Sequence, residues 1–427
     1  MSDPKIEPTT KRIFSEDWTA VLIGAGIIAL SLLGIRTKVP GYAWDTLETL
    51  GSLLLDGQNL RFLQEQFLVV FWSVVLAAIL LRANLSRVAG AFLFVFLLTQ
   101  MATFLGGYKL AQEFNFEAVI FCLAIGLLIG NLFGLPDWLR NGLMTELFVK
   151  IGLVLLGGSV IFSDILKAGG LGLIQALVVV LSVWYFAFWL CKKIKVDDEL
   201  TMMISSAVSI CGVSAAIATA GAIKGDPKKL SYVISMVLIV AVPMMLLMPP
   251  AAHWLGLSEE VAGAWLGGSI DTSGAVVASG SLVGETALKV STIVKFSQNV
   301  LLGIAAFAIS VYWTYTKSPE GRDPAQKPSL RVIWERFPKF VVGFVAASLV
   351  FSFLVSNASY QEVKGGLKGL QNLWFALAFT SIGLETKFKD LFAFDNQKPL
   401  WVFLAAQGFN VLITLLVAML LFGHFSG

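Results

Sequence analysis

The sequence predicts an all-α polytopic membrane protein: about 11 transmembrane helices plus two shorter segments that re-enter or break, set in an inverted repeat. Three observations predict it. Hydrophobic residues make up 57% of the 427-residue chain and charged ones 14%, with a mean hydropathy of +0.80. Apolar stretches of roughly 18 residues or more, enough to cross a hydrocarbon core as a helix, recur from end to end. Within them lie two near-copies, SAAIATAG from Ser214 to Gly221 and SGAVVASG from Ser273 to Gly280. Paired small-residue segments of this kind suit helices that break and aim their N-termini at a solute, and they equally suit tight helix packing.

Residues 1–17 are polar and carry both charges, which predicts a cytoplasmic N-terminus with no cleaved signal peptide. Residues 18–114 hold spans beginning at Trp18, Phe67 and Val88, separated by the amphipathic connection from Arg36 to Glu65. These N-terminal helices are expected to be scaffold or peripheral. Residues 115–256 form the first repeat, with spans from Ala118, Gly142 and Gly170, a broken segment over 200–224, and a span from Leu230. Residues 257–427 form the second, with a broken segment over 261–284, spans from Val290, Phe340, Leu367 and Leu400, and a cytoplasmic loop over 317–339. Pro243, Pro249 and Pro250 are expected to kink the span from Leu230 or end it early.

Loop charges orient the chain. Basic residues cluster at Lys5, Lys11 and Arg12, at Arg82 and Arg87, at Arg140, at Lys192, Lys193 and Lys195, over 317–339, and at Lys387, Lys389 and Lys398. Placed in the cytoplasm, they put the N-terminus inside and the C-terminus outside. Lys224, Lys228 and Lys229, after the first broken segment, ask for the same side as Lys192 to Lys195 before it. That segment is therefore expected to enter from the cytoplasm and return there. Parity sends the second in from outside, between Glu259 and Glu260 and the loop at Glu285. A further echo supports inversion: LLGGSVIFSDIL from Leu155 resembles SIGLETKFKDLF from Ser381, matching Gly157, Phe162 and Asp164 with Gly383, Phe388 and Asp390.

Ionisable residues inside a membrane are costly and are functional candidates by default. Asp271, at the second broken segment, and Lys295, in the span from Val290, are the two best, either as a coupling site or as a structural ion pair. Ser209, Cys211, Gly212 and Ser214 on one side, and Thr272, Ser273 and Gly274 on the other, are the candidate substrate-binding residues. Their short side chains let backbone N–H groups at helix N-termini approach an anion. Glu146 and Lys150 have the spacing of an intrahelical pair. Gln175 and Gln407 are expected to make interhelical hydrogen bonds, and Trp184, Tyr185 and Trp189 an interfacial aromatic belt.

The exclusions are as useful. Cys122, Cys191 and Cys211 lie in or beside apolar spans, and His253 and His424 are far apart, so neither disulfides nor a metal site is expected. No phosphate-binding, dinucleotide or nucleophile motif is present, which argues against a pump driven by ATP and against an enzyme. No resident cofactor is expected beyond a coupling Na+ or H+.

From the span at Gly142 to the one at Val290, the chain resembles the YeiH-like family of bacterial inner-membrane proteins, a family named for sulfate export. The residues that carry the resemblance are KIGLVLLGGSVIFSDIL from Lys150, SAVSICGVSAAIA from Ser206, YVISMV from Tyr232, AWLGGSI from Ala264 and TALKVSTIVKFSQNVLL from Thr286. The resemblance implies a secondary carrier similar to the sodium/proton antiporter and citrate or glutamate carrier superfamily. In that superfamily a core with broken helices moves against a scaffold in an elevator manner. This chain departs where a His-Glu pair follows the Ser-Ile of the second segment in relatives, carrying Asp271 and Thr272 instead. It also has Gln298 and Asn299 where relatives carry an arginine after the lysine.

The function expected is secondary active transport, by export or exchange, of a small anion such as sulfate, sulfite, a sulfonate or a carboxylate, coupled to H+ or Na+. The alternatives are a cation/proton antiporter exchanging at Asp271 and Lys295, and a non-transporting membrane scaffold or channel, which saturable counterflow would exclude. The expected partners are the anion and the lipid bilayer of a bacterial plasma membrane, with no nucleic acid, and a homodimer is compatible with this reading.

Overall fold

The computed structural model describes residues 14–113, 118–316, 330–387 and 397–423. Lys5, Lys11 and Arg12, loop residues 317–329, Phe388, Lys389 and Asp390, and His424 lie outside the described residues. The echo between Asp164 and Asp390 therefore has one described member, Asp164, in the first turn of a helix.

The described residues are helical in nearly every part. In chain order the helices are α1 (Glu16–Leu32), α2 (Leu47–Leu55), α3 (Gly57–Leu80), α4 (Leu85–Gly106), α5 (Lys109–Glu113), α6 (Ala118–Leu132) and α7 (Asp137–Arg140). Then come α8 (Thr145–Gly157), α9 (Phe162–Ile194), α10 (Asp198–Ser209), α11 (Val213–Ile223), α12 (Pro227–Trp254), α13 (Glu259–Ser269) and α14 (Ser273–Val283). The last are α15 (Glu285–Thr316), α16 (Arg331–Arg336), α17 (Lys339–Leu349, continued by a π turn over Val350–Leu354), α18 (Asn357–Glu385) and α19 (Lys398–Phe422). Among the described residues, six helices are long and apolar enough to cross a membrane: α3, α4, α9, α12, α15 and α19. Their outward faces are apolar as well. On α9, Leu173, Leu177, Leu181, Tyr185 and Trp189 are exposed along one stripe, the surface a helix shows when its solvent is lipid.

Several elements differ from the sequence expectation: α3 starts at Gly57 and α18 at Asn357, each ahead of the expected Phe67 and Leu367. The helix expected from Gly170 starts at Phe162, because Gly169 and Gly170 are accommodated inside α9. The three prolines neither end nor shorten α12, which continues past them to Trp254. A missing N–H is tolerated there because the neighbouring turns keep their bonds.

The chain forms two compact units, each discontinuous in sequence. One comprises residues 1–159 with 339–385, the other 160–338 with 386–427. This is a division by packing and differs from the 18–114, 115–256 and 257–427 division by repeats.

In the first unit, α6 and α18 cross with their backbones in contact. A Cβ added at Gly126 would lie 2.4 Å from the Thr380 carbonyl oxygen, and one at Gly130 2.4 Å from that of Leu384. Glycines four apart make such an approach feasible. Thr99 and Thr380 join their hydroxyls at 2.9 Å between α4 and α18. Lys150 on α8 reaches Glu16 at 2.7 Å and Asp17 at 3.0 Å in the first turn of α1. The direct ion pairs of Lys150 are thus with Glu16 and Asp17, while Glu146, one turn away, still interacts with it electrostatically. Glu146 faces outward, so the lysine gains more from the pair brought over by α1.

The second unit holds both broken segments, with α9, α12, α15, α16 and α19 packed around them. Asp197 starts α10 by accepting the N–H groups of Glu199 and Leu200. Ser258 and Thr272 cap α13 and α14 in the same manner. Asp226 followed by Pro227 opens α12, the usual helix-start chemistry. Gly263 and Gly267 let α13 lie directly on α15, a Cβ at Gly267 falling 2.4 Å from the Ser291 carbonyl oxygen.

Each broken segment folds back on itself. In the first, the Glu199 carboxylate accepts the Asp226 N–H at 3.0 Å, and Lys229 bridges Asp197 and Glu199. In the second, the Glu259 carboxylate accepts the N–H of Thr286 at 2.9 Å and that of Ala287 at 3.4 Å. In both cases an acidic residue in the first turn of the hairpin clasps the start of the following helix, 27 residues on. The hairpin arms, of 12 and 11 residues in the first and 11 and 11 in the second, rise about 16–18 Å, roughly half a hydrocarbon core.

Candidate transport site at the two helix breaks

A helix that stops inside a protein leaves its last carbonyls without donors, and burying them unpaired costs free energy. The α10–α11 hairpin turns at residues 210–212 and the α13–α14 hairpin at residues 270–272. At the first turn Gly212 adopts φ +58° and ψ −111°, a conformation that disfavours any residue with a Cβ. The second turn uses extended backbone at Ile270 and Thr272.

Lys295 on α15 serves both ends. Its Nζ donates to the Ile210 carbonyl at 2.8 Å, to the Ile270 carbonyl at 2.8 Å and to Gln298 Oε1 at 3.0 Å. All three ammonium protons are thereby used. The positive charge sits at the C-terminal, partially negative ends of α10 and α13, the favourable orientation. Asn410 on α19 makes a second bridge, its Nδ2 donating to Val208 at 3.1 Å and Ser269 at 3.2 Å, while its Oδ1 accepts from Thr414. Gln298 donates to Gly268, Gln407 to Ser269 and Gln175 to Ala264. Interhelical hydrogen bonding by Gln175 and Gln407 is thus observed, both ending on α13.

The other ends of the breaks are the N-termini of α11 and α14. α14 is capped by Thr272, whose Oγ1 accepts from the Ala275 N–H at 3.3 Å, whereas α11 has no side-chain cap. Asp271 stands between them: a Cβ added at Gly212, the N-cap residue of α11, would lie 3.0 Å from the Asp271 Cβ. Asp271 is 2% exposed, and its Oδ2 has no hydrogen-bond partner. Asn299 extends Nδ2 to Ser273 Oγ at 3.5 Å, leaving its own Oδ1 unpartnered.

The sequence candidates therefore separate. Gly212, Asp271, Thr272 and Ser273 come together at the convergent N-termini, with Gly274 buried behind them. Ser209 lies at the C-terminal end of α10 and returns its hydroxyl to the Ser205 carbonyl at 2.7 Å. Ser214 is exposed in the first turn of α11. Cys211 is buried at the first break, close enough to Lys295 to interact electrostatically. Asp271 and Lys295 do not form a direct ion pair within 4.0 Å. The lysine's three donors go to the Ile210 and Ile270 carbonyls and to Gln298 instead.

Asn410 is a functional candidate that sequence reasoning passed over, and Gln298 and Asn299, noted there only as departures from relatives, join it. Their signal was an amide inside an apolar helix, one turn from another polar residue: Gln298 and Asn299 follow Lys295, and Asn410 follows Gln407.

The family described as Conserved hypothetical protein 698 matches residues 90–402. The chain belongs to this family. It is the YeiH-like family of the sequence resemblance, and its relatives are named UPF0324 membrane proteins. One from Rhodopirellula baltica is 40% identical over 366 residues, covering 82% of this chain and 67% of its own length. One from Nitratidesulfovibrio vulgaris is 40% identical over 344 residues, covering 78% of this chain and 59% of its own. One from Nitrosomonas europaea is 27% identical over 443 residues, covering 88% and 89%. The chain thus spans 59% of the length of the Nitratidesulfovibrio relative. No solved structure matches. Together with the six apolar spans, membership in the Conserved hypothetical protein 698 family makes this a multi-pass membrane protein.

Proposed function

We propose that this protein is a secondary active transporter of a small inorganic or organic anion, such as sulfate, sulfite, a sulfonate or a carboxylate. The observation that carries the reading is the meeting of the two breaks on one ammonium: Lys295 donates to both Ile210 and Ile270. Once the C-terminal ends are held there, the N-termini of α11 and α14 are left facing a common point, with the N–H groups and dipole ends that bind oxyanions. Two hairpins about half a bilayer deep, entering from opposite faces, would place that point near the midplane, where carriers bind their solutes. Alternating access would follow from an elevator-type movement of the unit holding both hairpins, in a bacterial plasma membrane with the N-terminus inside. The cation/proton antiporter reading has less support, because it asks Lys295 to exchange with Asp271 while its three protons are committed elsewhere.

The test is a thermal-shift screen of the purified protein against oxyanions and carboxylates, with and without Na+. A selective ligand raises apparent stability in proportion to the logarithm of its concentration over Kd. The expected result is stabilisation by one class of anion, lost in Ser273→Ala with the fold retained. Saturable binding of cations with no anion requirement would overturn it.

A further inference from the structure

We infer that the site loads one proton, on Asp271, together with one singly charged oxyanion, so that the coupling ion is H+ and not Na+. This rests on the anion-carrier reading above and deepens it.

The starting point is charge. Among the described residues, the titratable group facing Asp271 is Lys295 from α15, and Cys211 at the first break lies near Lys295. α12 presents Val237 at Gly212, and α9 and α19 bring only the amides Gln175, Gln407 and Asn410 to the hairpin ends. With Asp271 ionised, its charge and that of Lys295 cancel. An added anion would leave an uncompensated buried negative charge, which a low-dielectric interior penalises heavily.

The second point is competition. Asp271 precedes the N-cap residue of α14 and abuts that of α11, so its carboxylate is a tethered anion at the very helix ends that would hold a free one. Its buried Oδ2 has no donor. A proton from solvent placed on Oδ2 removes the competitor and turns that oxygen into a donor. Lys295 cannot make the adjustment instead, because losing its proton would strip a hydrogen bond from a buried carbonyl at one of the breaks or from Gln298. With Asp271 neutral and Lys295 charged, one negative charge completes the balance, which favours a sulfonate, bisulfite or carboxylate over the sulfate dianion. A metal cation, as a second positive charge beside Lys295, would be repelled.

Calorimetric titration of the full chain with methanesulfonate, acetate and sulfate, in buffers of different protonation enthalpy between pH 5 and 8, reads the linked proton directly. Expected is uptake of about one proton per bound monovalent anion, with affinity falling about tenfold per pH unit on the alkaline side and unchanged by Na+. Asp271→Asn is expected to bind the monovalent anion with no proton uptake and a flat pH profile. Binding without proton uptake, binding that requires Na+, tighter binding of sulfate, or linkage that survives in Asp271→Asn would each overturn the inference while leaving an anion carrier. Failure of every probe anion to bind at every pH would overturn the carrier reading itself and this inference with it.

Discussion

The Glu199 carboxylate accepts the backbone N–H of Asp226 at 3.0 Å, joining the beginning of the first hairpin to the N-cap residue of the helix that follows it. Glu259 and Thr286 repeat the arrangement in the second hairpin, at the same spacing of 27 residues. Two hairpins closed by the same device are what an inverted repeat produces, and a clasp at the mouth of each fixes the depth of its tip. Glu199→Ala and Glu259→Ala should each cost about 1 kcal/mol, the scale of a partly exposed charge-assisted hydrogen bond. The local signature is faster amide exchange in α11 for the first and α14 for the second. Equal exchange in both hairpins of both variants would refute independent clasps.

Acid should loosen the first hairpin selectively. Burial pulls the Asp197 carboxyl upward, but the Lys229 hydrogen bond and the N–H groups of Leu200 and Glu199 outweigh it and hold Asp197 below the usual carboxylate range. A group whose value is depressed on folding stabilises above its unfolded value and loses that contribution as pH falls through its folded value. The window therefore opens at about pH 4 and extends lower. Amide exchange of α10 between pH 5 and 3 checks it, and Asp197→Asn should flatten the response.

Lys295→Met keeps the volume of the side chain and removes all three donors. It should destabilise by about 2–5 kcal/mol, because buried carbonyls at Ile210 and Ile270 lose their partner. Asn410→Leu, which removes the other bridge, should cost less, about 1–3 kcal/mol, since Gln407 still donates to Ser269. Thermal unfolding in detergent ranks them, and the reverse order would deny Lys295 its role as the principal tie.

Gly212→Ala meets two obstacles. The backbone is in a positive-φ conformation, and the new Cβ would lie 2.6 Å from Val237 Cγ1. A loss of about 1–3 kcal/mol is expected. The double variant with Val237→Ala should recover only the steric part, and full recovery would show that φ carries no cost.

Lys150→Met should cost about 1–2 kcal/mol through its partly buried pair with Glu16 and Asp17, whereas Glu146→Ala should stay within about 0.5 kcal/mol. A double-mutant cycle between positions 16 and 150 separates the coupling from packing. A larger cycle energy between 146 and 150 would restore the intrahelical pair.

Much of this was legible beforehand because membrane helices announce themselves by composition. The two broken segments stood out as runs of Ser, Gly and Ala where Leu and Val would otherwise be expected, and the lysines flanking residues 200–224 pointed to a fold-back that the Glu199 clasp now matches in geometry. The partner of Lys295 was not legible. Its acceptors are backbone carbonyls at Ile210 and Ile270, and a backbone group exposed by a break leaves no mark in the side-chain sequence. Asp271 seemed the natural counter-charge only because side chains are all that a sequence displays. Lys150 misled in the same manner: spacing along one helix favoured Glu146, while the pair brought over by α1 is a matter of packing. The prolines of α12 do not end that helix early, since their cost depends on what surrounds the missing N–H.

Lys295 follows both breaks in the chain, and this bears on how the molecule is made. A ribosome reaching Val283 has already synthesised both hairpins, but not the residue that ties them. Until α15 enters the membrane, the carbonyls of Ile210 and Ile270 have no ammonium to meet. The tie between the two hairpins is thus completed only after both have been synthesised, by the helix that directly follows them in the chain.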